Sequence, residues 1–147
     1  MTTTISTLLG IAFVALAITA VVLQAWLWGP RYWNPDTKKS HAPRFWVKLH
    51  RAVGWAYAAI YVAMMTQMLP RLWEYQVELP ARTVVHAVAA ITICVILAVK
   101  ISIVRFFRHF EEAMPTLGVV ILVCTVVLAT FSLPFALRAR GSDATSR

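Results

Sequence analysis

ISTLLGIAFVALAITAVVLQAWLW, residues 5–28, contains no charged side chain. A hydrocarbon core about 30 Å thick is crossed by roughly 20 helical residues, so this run is long enough to span one. The residues before it, MTTTIST, carry no positive charge, and the apolar run exceeds the length of a signal-peptide core. It reads as a retained membrane helix, and the rest of the chain follows the same rule.

Three further stretches qualify. Residues 52–69 hold only Thr66 and Gln67 as conventional polar groups besides two tyrosines. Residues 84–104 are interrupted by Lys100 alone, and residues 114–137 complete the set. With 60% hydrophobic residues in a chain of 147, too little polar surface remains to coat a soluble fold. The expectation is an all-α integral membrane protein, a four-transmembrane-helix antiparallel bundle forming one domain over 1–147. Its helices fall at about 5–28, 50–70, 82–108 and 114–137, joined by short connections and one basic loop at about 29–49. Gly29-Pro30 and Asn34-Pro35 mark the end of the first helix, Pro70 closes the second, and Pro80 and Pro115 sit near the next two starts. Pro134 lies near the far end of the fourth helix.

The net charge of +8 reads as topology, not as nucleic-acid binding. The first connection carries Arg31, Lys38, Lys39, Arg44, Lys48 and Arg51 against Asp36. In the second, Arg71 and Arg82 balance Glu74 and Glu78; the third holds Arg105 and Arg108 beside Glu111 and Glu112. The positive-inside rule puts the first and third connections in the cytoplasm and both termini outside, as in a bacterial inner (plasma) membrane protein. The tail residues Arg138, Arg140 and Arg147 pull weakly the other way. Trp26, Trp28, Tyr32, Trp33 and Trp46 fit an interfacial aromatic belt. Cys94 and Cys124 lie mid-helix, outside any CxxC or CxxCH motif, and read as small buried apolar residues.

Two helical faces are not lipid-like. Stepping by three or four from His50 gives Gly54, Tyr57, Tyr61, Met64 or Met65, and Met68. From His86 the face runs through Ala89, Ala90, Ile93, Leu97 and Lys100. An ionisable residue in a span usually faces the bundle interior with a partner. Histidine is a common haem ligand, and a small residue one turn away leaves room for a flat macrocycle. Gly54 would serve His50 in this way, and Ala89 and Ala90 would serve His86. Lys48, Arg51 and Lys100 are candidate partners for haem propionates.

LHRAVGW (49–55) opening one membrane helix and RTVVHAV (82–88) opening the next resemble small four-helix membrane b-type cytochromes, a group that includes cytochrome-b-like and ferric-reductase-like electron carriers. The resemblance runs over about Lys48 to Leu137. It implies haem b held non-covalently, with His50 and His86 as the matched iron ligands. The chain departs from a two-haem bundle in having four histidines in all, His41, His50, His86 and His109, none on helices one or four. The haem number stays at one or two.

In an antiparallel hairpin His86 is level with about Met65 to Met68, roughly 16 residues or about 24 Å from His50. The two histidines should not share an iron. Candidate second ligands are His109, His41 or Lys100 at the inner end, and Met65 or Met68 at the outer end; a histidine of another subunit is a further option. His109 lies about 140° around a straight helix from His86, so it needs a bend after Arg105. The expected function is an electron-transfer subunit, not a complete enzyme. It would run between a quinone pool or cytoplasmic-side site and an outer-face partner such as a c-type cytochrome, among lipid and other membrane subunits. Glu111-Glu112 reads as a solvated loop, with proton entry for quinone chemistry as the runner-up role. The alternative is a haem-free accessory or scaffold subunit, with Gly10, Ala17 and Gly118 as helix-interface positions. A small transporter using Lys100 and His86 is the weakest reading, since no broken helix or inverted repeat is evident.

Overall fold

The computed structural model describes residues 3–34, 39–74 and 81–145. Four α-helices dominate: α1 (Thr3–Leu27), α2 (Arg44–Glu74), α3 (Ala81–Phe106) and α4 (Met114–Thr145), with a 3-10 turn at Arg108–Ala113. The fold is an all-α membrane bundle. Three helices contain stretches long and apolar enough to cross a membrane, at Thr7–Leu27, Arg44–Pro70 and Thr83–Phe106. The apolar stretch described in α4, Met114–Thr130, is shorter. Asp36, Lys38, Glu78, Pro80 and Arg147 lie outside the described residues.

Several boundaries differ from the sequence expectation. α2 starts at Arg44, not near His50. Pro43 sets the start: its carbonyl accepts from the amides of Trp46 (3.1 Å) and Val47 (3.4 Å). Pro70 does not close α2, which runs on to Glu74. A proline deletes the bond to the carbonyl four residues back and crowds that carbonyl, which bends or weakens a helix without having to end it. α4 likewise continues through Pro134 to Thr145. The first helix ends as read, at Leu27. Gly29 allows the tight exit, since a Cβ there would come 3.1 Å from the Ala25 carbonyl oxygen. Trp33–Asn34 and Lys39–Ser40 then pair as a short antiparallel ribbon within the basic loop. After α3 the chain passes through Phe107 into the 3-10 turn, whose non-helical residue is Phe110.

The four helices pack around one core. α1 contacts α2 and α4, and α4 contacts α3, while the α2 and α3 backbones approach least closely among sequence neighbours. Residue pairs fix the directions. Phe13 of α1 stacks on Tyr57 at 4.4 Å, while Gln24, further along α1, meets Gly118 near the start of α4. The core between them holds Phe13, Ala17, Tyr57, Tyr61, Ala89, Ala90, Ile93, Ile121 and Leu128.

Outward positions are apolar: Ile11, Ile18 and Val22 on α1; Trp55, Val62 and Leu69 on α2; Val88, Ile91 and Val95 on α3. This is the surface expected against lipid. Outward hydroxyls close on their own helix, Thr19 on the Ala15 carbonyl, Thr92 on Val88 and Thr130 on Val126, each at 2.8 Å. No water is needed at those sites. Cys94 corrects the sequence reading: it is exposed on this outward surface, and Cys124 is half-buried.

Candidate functional site

A period of seven organises the interior. Positions 17 and 24, 50 and 57, 93 and 100, and 118 and 125 are each two helical turns apart, about 10 Å. They form two layers across the bundle. The middle layer is Ala17, Tyr57, Ile93 and Thr125. The other is Gln24, His50, Lys100 and Gly118, nearer the end that carries the basic first loop.

The middle layer is closed and internally satisfied. Thr125 is fully buried and donates its hydroxyl to the Ile121 carbonyl at 2.8 Å. A hydroxyl has one hydrogen, so Tyr57, 2.7 Å away, must be the donor to Thr125 Oγ1. One turn towards the opposite end, the Tyr61 hydroxyl donates to the Ala90 carbonyl at 2.8 Å and bridges the loose α2–α3 side.

The basic-end layer is built differently. Lys100 Nζ donates to Gln24 Oε1 at 2.9 Å. Gln24 is only 3% exposed, yet its Nε2 makes no hydrogen bond. His50 Nδ1 is also buried without a partner, while the ring makes a backbone hydrogen bond to Ala20 and lies within electrostatic range of Lys100. Gly118 shapes the site: a Cβ there would lie 2.6 Å from Gln24 Oε1. The layer is capped by aromatics. Trp26 packs edge-on against Tyr32 (5.0 Å) and Trp46 (4.9 Å), Trp28 stacks on Trp33 (6.3 Å), and the Arg31 guanidinium sits 5.6 Å over Tyr32.

The structure thus brings His50 and Lys100 together and keeps His86 apart. His86 is one turn beyond Ala90 and 14 residues, or about 21 Å, from Lys100 along α3. It is half-buried, as are Met64, Met65 and Met68 on the facing side of α2. Lys48, Arg51 and Arg105 are exposed, as are His41 and Glu112. The side chains of His109 and Glu111 lie outside the described residues. Sequence reasoning missed Gln24 and Thr125. Gln24 was signalled by being an amide in an uncharged span, on the face shared with Phe13 and Ala17. Gly118, read as a subunit-interface position, instead packs against Gln24 of its own chain.

The residues fit haem at one end better than at the other. Beside His50 there is a free buried ring nitrogen, and Gly54 has open space where a Cβ would be. Lys100 supplies a cation. Beside His86 the small residues are already used, since Ala89 and Ala90 are buried and Tyr61 sits on the Ala90 carbonyl. Among the described residues no three His, Cys, Asp or Glu side chains gather as a metal site, although a haem iron asks for only one or two protein ligands. Fold and site define a small membrane helical bundle with an interior polar layer at one end. The chain matches no known protein family, no curated protein and no solved structure.

Proposed function

We propose that this chain is a b-type cytochrome subunit that carries electrons within or across the membrane. The observation that carries the reading is His50: an interior histidine with an unpartnered ring nitrogen, one turn from the open face of Gly54. Haem, when bound, would supply one-electron redox chemistry. The chain would hold it through His50, seat it against Gly54 and pair its propionates with Lys100. His86, at the other depth, is the candidate ligand for a second haem, with Met65 or Met68 beside it. The basic end would face the cytoplasm, with a quinone or a cytoplasmic donor there and a redox protein at the other face. A haem-free scaffold is the second reading. It is favoured by the middle layer, where Phe13, Tyr57 and Ile93 share one packed core and the Tyr57 hydroxyl bonds Thr125.

The test is a reduced-minus-oxidised spectrum of the detergent-purified protein with a pyridine haemochrome count per chain. One or two b haems are expected. A folded preparation made with ample haem that contains none would leave the scaffold.

A further inference from the structure

Lys100 is a cation inside an apolar span, with no opposite charge beside it among the described residues. No Asp or Glu occurs in 3–27, 44–70, 81–106 or 114–130, and Glu112, on the turn beyond α3, is exposed. A buried charge without a counter-charge is costly, and membrane proteins place such residues where a partner meets them. The internal partner of Lys100 is the Gln24 oxygen, a dipole that answers one of three ammonium hydrogens. The Gln24 nitrogen on the same carbon then presents two unused hydrogens in a residue 97% buried, the complement of its 3% exposure.

These donors lie side by side. Oε1 and Nε2 share one carbon, and Lys100 holds Oε1, so Nζ and the free amide are neighbours. The two oxygens of a carboxylate span such a pair, one on the ammonium and one on the amide. Gly118 lets the Gln24 head sit close against α4, where a Cβ would lie 2.6 Å from Oε1.

We propose that Gln24 and Lys100 form an intramembrane binding site for the carboxylate of an amphiphile. The depth, about two turns from the end of α3, requires an apolar body behind the charged group. A fatty-acyl carboxylate and a haem propionate both have that chemistry. The site stands on Gln24 and Lys100 and does not depend on haem being present.

The test uses the full chain in a non-ionic detergent, prepared without haem and titrated with decanoate labelled with ¹³C at the carboxyl carbon. Saturable binding at one site per chain is expected, with a shifted carboxyl resonance. Decanol, which has the tail without the charge, should not compete. Lys100→Met should abolish binding, and Gln24→Leu should weaken it by about tenfold or more, the scale of one charge-assisted hydrogen bond. Uptake that does not saturate, that decanol displaces equally, or that both variants leave unchanged while still helical overturns the proposal. Two loaded forms separate the sources. If haem blocks decanoate and haem dimethyl ester does not, the propionate is the occupant; if decanoate binds in both, a lipid carboxylate is. A chain that takes up no haem leaves the decanoate titration intact.

Discussion

The two interior layers use the same helices, two turns apart, and reach opposite states. In the middle layer both tyrosine hydroxyls and the threonine hydroxyl have acceptors inside the bundle. In the basic-end layer the Gln24 amide, the His50 Nδ1 and the neighbouring Trp28 Nε1 have none. An unmade hydrogen bond in a dry interior costs more than a made one contributes, so the second arrangement is poor as pure architecture. The contrast separates polar residues that hold the helices together from polar residues that await something else.

The largest effect expected from this contrast is on His50. His50→Ala should remove the haem seated at the basic end and lower the haemochrome count by one per chain, with helix content by circular dichroism unchanged. Tyr57→Phe, on a comparable helix face, should leave the count alone. Equal haem content in His50→Ala and the parent would erase the functional difference between the layers.

Next in size is the core itself. Ile93 is fully buried between Tyr57, Tyr61 and the α4 face. Ile93→Ala should cost about 2–5 kcal/mol through the cavity it leaves. Unfolding in an SDS titration measures it. A loss under about 1 kcal/mol would mean that the middle layer is not tightly packed.

Smaller, and different in size between the layers, are two polar deletions. Tyr57→Phe removes a hydrogen bond between neutral groups and should destabilise by about 1 kcal/mol in the same titration. Gln24→Leu removes the unsatisfied Nε2 but also the oxygen that accepts from Lys100, and leaving the buried ammonium without that acceptor should cost more, about 1–3 kcal/mol. A Gln24→Leu loss no larger than that of Tyr57→Phe would show that Oε1 does little for the ammonium.

Much of this was open to sequence reasoning. The faces of α2 and α3 were readable because interior and lipid-facing residues differ in kind at a 3.6 period. Tyr57, Tyr61, Ala89, Ala90 and Ile93 are buried where that period puts them. Helix ends were less legible, because a proline need not stop a helix: α2 runs through Pro70 and α4 through Pro134. The exposure of Cys94 was misread because a thiol is apolar enough for either surface. The basic-end layer was half visible. His50 and Lys100 stood out by charge, while Gln24 needed the register of α1 against α4, which is set by the glycine at 118 and by no local pattern.

That register supplies the finest test. Gly10 has nothing within 4 Å of an added Cβ, whereas at Gly118 the Gln24 head is in the way. Gly10→Ala should therefore gain up to about 1 kcal/mol, the helix preference of alanine over glycine. Gly118→Ala carries the same preference and must also push Gln24 off Lys100, so it should lose stability. Shortening Gln24 removes the collision, and the double variant Gly118→Ala, Gln24→Ala should recover the part of the loss that comes from the collision, though not the contact to Lys100. A double-mutant cycle reads this as a coupling of about 0.5 kcal/mol or more between contacting sites. Additive losses would separate α1 from α4 at this depth, and with them the wall that holds the Gln24 amide beside the ammonium.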